Sequence, residues 1–221
     1  MTNTLTTAPL APLLNRLFHD ADELSPSNDP GIADLFQDHQ RLMHSKTEYL
    51  DFYGRLKDLP LAVSPETGRL LYMLARSTGA RNIVEFGTSF GISTLHLAAA
   101  LRDNGGGRLI TSEFEPSKVR RAQENLRTGG LADLVEIREG DALQTLATDL
   151  PGTIDLLLLD GAKALYPEIL ALVESRLRPG ALIIADNADY SPEYLAKVRA
   201  PESGYLSLPF GEDVELSMRI G

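Results

Sequence analysis

Hydrophobic positions along the chain follow two different rhythms. Through residues 1–60 they recur at helical spacing: Leu13, Leu14, Leu17 and Phe18, then Ile32, Leu35, Phe36, Leu42, Met43 and Leu50. The stretch "SPSNDPG" (25–31), with two prolines and a glycine, interrupts them and predicts a loop. From residue 64 helix and strand patterns alternate. In "SPETGRLLYMLARSTG" Ser64 is placed as an N-cap and Pro65 at the first helical position, with an end near Gly79. "NIVEF" (82–86) reads as a short apolar strand, followed by a glycine-containing turn and the helix "STLHLAAAL". "RLITSEF", "LVEIREGD", "IDLLLLD" and "ALIIADN" predict further strands, with helices beginning near Pro116, Ala142 and Ala164. Alternation of this kind implies right-handed crossovers and an α/β fold, a parallel sheet covered by helices on both sides. The end differs. "GYLSLPFGEDVELSMRI" holds two strand-like runs joined by "FGED", which predicts a hairpin whose last strand is antiparallel, at or near the sheet edge.

Composition narrows the function classes. At 221 residues, with 43% hydrophobic and 24% charged, the chain is long enough for one well-buried domain of ordinary globular make-up. The expected organisation is a single domain over 1–221, with 1–60 a helical segment and 61–221 the core. A formal net charge of −10 opposes binding to phosphate backbones. The one dense basic stretch, "KVRRAQENLR" (118–127), reads as the solvated face of a helix. The absence of cysteine excludes disulfides, thiolate metal sites and cysteine nucleophiles. "MTNTLTTAPLAPLLNRLFHD" lacks the basic start and continuous apolar stretch of a signal peptide, and no run approaches a membrane span. A cytoplasmic protein is the expectation. His39 and His44 are five residues apart, off a common helical face, and predict surface or packing roles rather than a metal pair.

"VEFGTSFGIS" (84–93) follows a strand and opens a helix. Gly87 and Gly91 permit a sharp turn and close approach of backbone to a ligand, and the helix N-terminus offers free N–H groups. The spacing is not the G-x-G-x-x-G of a dinucleotide loop, which disfavours a nicotinamide-dependent oxidoreductase. Glu85, Glu113 and Asp141 stand at or beside three successive strand C-termini, on the side where ligands bind in such sheets. Glu113 can accept from both hydroxyls of a ribose. Together the three acids point to a nucleoside ligand.

The order E-x-G-x-x-x-G-x-S, strand-end Glu, G-D-A, D-x-x-K and D-N resembles that of the S-adenosylmethionine- and cation-dependent O-methyltransferases of the catechol O-methyltransferase type, over roughly residues 60–221. The resemblance implies a Rossmann-like class I methyltransferase fold: a mostly parallel seven-stranded sheet, a C-terminal antiparallel hairpin and N-terminal lid helices. It implies that Glu85 and Gly87, with Ser89 and Gly91 of the same loop, line the methionine end of the cofactor. Ser93 would meet the methionine carboxylate, Glu113 with Phe114 beside it the ribose, and Asp141 with Ala142 the adenine edge. Val63 would contribute its backbone, and Asp160 would border cofactor and cation alike. The sequence departs from the family pattern at Ser89, where many relatives have Gly or Tyr, at Leu61, where Met is usual, and at Ala162, which replaces an acid.

Asp160 closes the four-leucine strand, with Lys163 three residues on, and Asp186-Asn187 close another. Taken singly, Asp160 reads as a helix cap and Asp186-Asn187 as an ordinary turn. Taken together they form a hard-oxygen set suited to Mg²⁺ or a similar ion, filling three of about six positions and leaving the rest to water and a vicinal diol. The expected chemistry is in-line attack of a phenol oxygen on a sulfonium methyl, with Lys163, its pKa lowered beside the cation, taking the proton. The expected activity is therefore methylation of a small catechol-like phenolic substrate. The resemblance also admits hydroxylated uridine of transfer RNA, which the charge opposes; a non-catalytic cofactor-binding protein is a fourth reading. In relatives the N-terminal helices form a lid and contribute to dimer contacts. A homodimer is therefore expected, with His39, Met43, His44 and Tyr49 near one or the other.

Overall fold

The computed structural model describes residues 3–24, 38–211 and 213–221, with the side chains of residues 39 and 40 excepted. The expected loop at 25–31 and the helical positions Ile32, Leu35 and Phe36 lie outside the described residues. The N-terminal part holds α1 (Leu10–Glu23), α2 (His39–Met43) and α3 (Tyr49–Arg55). The alternating part then runs α4 (Pro65–Ser77), β1 (Asn82–Phe86), α5 (Ile92–Asp103), β2 (Arg108–Glu113), α6 (Pro116–Thr128), β3 (Val135–Glu139) and α7 (Ala142–Thr145). It continues with β4 (Ile154–Leu159), α8 (Tyr166–Val173), β5 (Leu177–Asp186) and α9 (Pro192–Arg199), and ends in β6 (Tyr205–Phe210) and β7 (Val214–Arg219). Local chemistry sets the helix starts. Ser64 Oγ accepts from the Thr67 N–H at 3.0 Å with Pro65 behind it, and Glu115 caps α6 from its carboxylate, again followed by proline.

The seven strands lie in the order β3-β2-β1-β4-β5-β7-β6. β1 to β5 pair in parallel and β7 runs antiparallel to both its neighbours. The last strand is thus one in from the edge, which β6 occupies. The run of leucines in β4 is buried on both faces. Leu156 and Leu158 enter one core with Leu71, Leu95 and Leu97. Leu157 and Leu159 enter the other with Tyr166, Ile169 and Tyr194. Each such leucine contributes roughly 1.5–3 kcal/mol by leaving water, so β4 anchors both helical layers.

Strand order reverses between β1 and β4, and there the crevice at the strand C-termini opens. The two turns at this point touch. The Asp160 N–H donates to the Phe86 carbonyl at 2.8 Å. A Cβ on Gly87 would lie 2.5 Å from the Asp160 carbonyl oxygen, and one on Gly161 would lie 2.5 Å from the Phe86 ring. Gly87 also has φ +100, the left-handed region that disfavours side chains. These glycines bring the turn after β1 against the turn after β4.

Candidate active site

A cleft of about 670 Å³, open to solvent, lies over this crevice. Of the expected cofactor residues it is bordered by Gly87, Ser89, Glu113, Phe114, Asp141, Ala142 and Asp160. A smaller recess of about 220 Å³ shares Gly87, Ser89 and Asp160 with it and adds Val63 and Ser93. The loop between them is tied down by its backbone. Thr88 N–H donates to the Ser112 carbonyl at 3.1 Å, Gly91 N–H to that of Thr88 at 2.8 Å, and Gly91 caps α5 at φ +83. Ser89 itself takes a left-handed conformation at φ 47 and points its N–H to Glu113 Oε2 at 2.8 Å. The other carboxylate oxygen of Glu113 accepts from Glu115 N–H at 3.0 Å, and burial pushes its pKa up. Asp141 caps α7 through Leu143 N–H at 2.9 Å and faces the same cleft.

Glu85 stands behind this wall rather than in it. It is fully buried, borders neither cavity, and accepts from Ser93 Oγ and Thr94 Oγ1, both at 2.6 Å. In this arrangement the Ser93 hydroxyl donates inward, and Glu85 holds the first turn of α5 beneath the glycine loop. Burial pushes the Glu85 carboxyl up to about 7, against the hydrogen bonds that favour its ionised form. The folded state therefore keeps a proton that the unfolded chain gives up. The resulting stability is present in full below about 4.5, declines as pH rises, and is lost above about 7. Glu85→Gln removes that dependence. Relative to the wild type, its urea midpoint is expected to improve steadily from pH 5 to pH 8; a constant difference would mean that Glu85 is ionised throughout.

At the ends of β4 and β5 the second cluster assembles. Lys163 Nζ donates to Asp160 Oδ1 at 2.8 Å and to Asp186 Oδ2 at 3.3 Å. The side chains are 5%, 14% and 11% exposed respectively, so two carboxylates share one ammonium in a largely dry place. Tyr166 closes the back, its OH donating to the Asp186 carbonyl at 2.8 Å. Burial pushes Asp160 up, Lys163 pulls it down and Asp186 pushes it up again, for a net rise. For Lys163 burial lowers the pKa, but the two acids win and hold it well above the ordinary value. Asn187 follows in a left-handed conformation at φ 47, with its amide nitrogen 3.4 Å from Asp213 Oδ2. Among the described residues no three His, Cys, Asp or Glu side chains form a metal-binding group. The expected set, two carboxylates and an amide, is a different kind of group. Its fit rests on the donor chemistry: hard oxygens at adjacent strand ends, with more negative charge than one lysine balances.

The N-terminal segment packs over this end of the sheet. Tyr49, Leu50 and Tyr53 of α3 border the cleft. Tyr53 is held neutral by burial, up to about 12, and its OH lies 3.4 Å from Met43 Sδ. His44 packs on the Tyr190 ring at 5.7 Å, and Lys46 pairs with Glu168 at 2.7 Å and Glu193 at 2.9 Å. The His39 side chain lies outside the described residues. Two groups at the cleft escaped sequence reasoning. Tyr53 carries no signal beyond helical spacing, whereas Tyr49, expected near the lid or the dimer contacts, borders the cleft. Lys118, read as part of a solvated helix face, is 4% exposed and borders the cleft. Its position, a helical turn ahead of the inward-facing Ala122, was the available hint.

Residues 84–188 match the family model described as a methyltransferase domain. A catechol O-methyltransferase of Niastella koreensis is 41% identical over 130 residues, 58% of each chain. One of Mycobacterium tuberculosis is 37% identical over 131 residues, 59% of each chain. The match thus spans less than two thirds of these relatives' length. The solved O-methyltransferase TomG of Streptomyces achromogenes, involved in tomaymycin synthesis and crystallised with S-adenosylmethionine, aligns with TM-score 0.66 and 30% identity. That alignment covers 85% of this chain and 96% of TomG. Among the described residues no helix is long and apolar enough to cross a membrane. With the strand order, the glycine loop under the cleft and these likenesses in agreement, the chain belongs to the S-adenosylmethionine-dependent O-methyltransferases.

Proposed function

We propose that the protein transfers the methyl group of S-adenosylmethionine to one hydroxyl of a small vicinal dihydroxy aromatic compound, with a divalent cation at Asp160, Asp186 and Asn187. The observation that carries this reading is the sharing of Lys163 by Asp160 and Asp186, with Asp160 also bordering the cofactor cleft. The cofactor's place follows from Glu113 at the ribose, Asp141 and Ala142 at the adenine edge, and Val63 with the Gly87–Ser93 loop toward the methionine. Gly87 and Asp160 adjoin, so the methyl group would face the end of β4. The aromatic walls Tyr49 and Tyr53 and the apolar Leu165 suit a flat ring beside it.

A bound divalent cation supplies acidity to the substrate hydroxyls and a template for two adjacent oxygens. Lys163 acts separately from it, receiving the proton of the attacking hydroxyl at Nζ. The two acids now hold that ammonium charged, and it can act as a base only once their charge is otherwise balanced. Positioning the two reactants supplies much of the rest, several kcal/mol by the usual worth of proximity. A homodimer belongs to the same reading. Among the described residues, Leu206, Leu208 and Phe210 of β6 and Met218 of β7 offer an exposed apolar surface for it.

With catechol as acceptor, activity is expected to vanish in chelator and to return with Mg²⁺, and to different degrees with Mn²⁺ or Ca²⁺, which accept the same oxygen ligands. Full turnover in chelator, with metal content measured as zero, would exclude the cation from the reaction.

A further inference from the structure

A buried ammonium with no carboxylate at ion-pair distance is unfavourable, and Lys118 is one. It sits in the first turn of α6, whose other buried positions, Val119, Ala122 and Leu126, are apolar. It borders the main cleft beside Ser89 and Glu113. Among the described residues no carboxylate comes within 4.0 Å of its Nζ. Its contacts are Ser89 Oγ at 3.4 Å and the face of the Phe90 ring, 5.8 Å to the centroid. Burial lowers its pKa, while Glu113, Glu115, Asp160 and Asp58, from beyond ion-pair distance, pull it back up. A group that is donor-only, nearly dry and under-partnered faces a cavity proposed to hold a nucleoside.

We propose that Lys118 is a binding residue for the cofactor's ribose, donating to the lone pairs of the same 2′ and 3′ oxygens whose hydrogens Glu113 accepts. An ionised carboxylate can only accept and an ammonium can only donate, whereas a ribose diol needs both. Glu113 alone satisfies half of each hydroxyl. Ser89 N–H and Glu115 N–H already occupy one site on each Glu113 oxygen, and Glu113 borders the cleft. Lys118 then provides the missing donors, and the ribose provides Lys118 with acceptors that the protein withholds. The inference rests on the S-adenosylmethionine reading of the cleft.

The test uses titration calorimetry of the full chain with S-adenosylhomocysteine, its 2′-deoxy and 3′-deoxy analogues, and 5′-methylthioadenosine. Lys118→Met should weaken S-adenosylhomocysteine binding about tenfold, the scale of one hydrogen bond to a charged group. Its unfolding midpoint without ligand should equal or exceed the wild type, since a buried charge has been removed. The deoxy analogues should cost the variant less affinity than they cost the wild type. The tenfold penalty should persist with 5′-methylthioadenosine, which keeps the ribose and lacks the amino-acid carboxylate. Lys118→Gln, which keeps a neutral donor, should recover part of the loss and serves if the methionine variant misfolds. Unchanged affinity overturns the assignment. So does a penalty that is the same for every deoxy analogue, which marks a structural role, or one that disappears with 5′-methylthioadenosine, which marks a carboxylate contact. A wild type that binds none of these ligands overturns the cofactor reading and this inference with it.

Discussion

Lys163→Met is expected to lower turnover by about 10²–10⁴, the usual share of a general base, while cofactor binding survives. Methionine keeps comparable bulk between Asp160 and Asp186 but can neither donate to them nor accept a proton. Two consequences separate the base role from a merely structural one. Part of the lost rate should return at high pH, or with a catechol whose hydroxyl is more acidic, because the proton then leaves without help. Asp160→Ala and Asp186→Ala should show no such recovery, since they remove the groups proposed to anchor the substrate end. Wild-type turnover of a weakly acidic catechol by Lys163→Met, with methyl transfer shown to be rate-limiting, would make Lys163 a countercharge only. Circular dichroism should accompany the assay, because two buried carboxylates lose their shared ammonium.

Gly87→Ala is expected to cost about 3–5 kcal/mol of folding stability, combining backbone strain with overpacking at a point that cannot relax. Domains of this size hold on the order of 5–15 kcal/mol in all, so the loss is a large fraction of the total. The methyl group would meet backbone rather than a flexible side chain: the Asp160 carbonyl oxygen at 2.5 Å and carbon at 2.7 Å, and Gly161 Cα at 2.8 Å. Gly106 provides the control. It has nearly the same φ, +102 against +100, but a Cβ placed there would meet nothing within 4 Å. Gly106→Ala should therefore show the conformational cost alone, roughly 1 kcal/mol or slightly more. Equal urea midpoints for the two variants would mean that the turns after β1 and β4 do not touch as described. The surviving folded fraction of Gly87→Ala should also bind S-adenosylhomocysteine poorly, because the same displacement moves Asp160.

The parts of this molecule that the sequence disclosed are those governed by local pattern. The bounds of β1 match its apolar run to the residue, and Ser64, Pro65 and Pro116 mark their helix starts, because caps and proline act within one turn. β5 starts earlier than "ALIIADN" suggests, at Leu177. The strand carries Pro179 and Gly180 within it, next to a register shift near Ile154. The helix placed near Ala142 is a single turn, and the one placed near Ala164 opens as a 3₁₀ turn before α8. The acid–lysine cluster was legible because strand ends in a parallel sheet share one edge, which fixes Asp160 beside Asp186 without knowledge of any side chain. Lys118 was not, because what covers it, the loop at Ser89 and Phe90, comes from 29 residues away in sequence. Nor was the inward role of Ser93, whose hydroxyl donates to Glu85: only the packed structure says which side of a helix N-terminus a side chain takes.

The central claim is methyl transfer to one oxygen of a vicinal diol, and its most direct measurement is the fate of a labelled methyl group. Protein, S-adenosylmethionine carrying a labelled methyl, Mg²⁺ and either catechol or its meta-isomer resorcinol would be incubated, and the products identified by mass and by nuclear magnetic resonance. The account predicts one labelled methyl per catechol, bonded to oxygen, with equimolar S-adenosylhomocysteine and no labelled resorcinol. Equal labelling of both isomers, or no labelled product from any of a panel of catechols by protein that demonstrably binds S-adenosylhomocysteine, would contradict it.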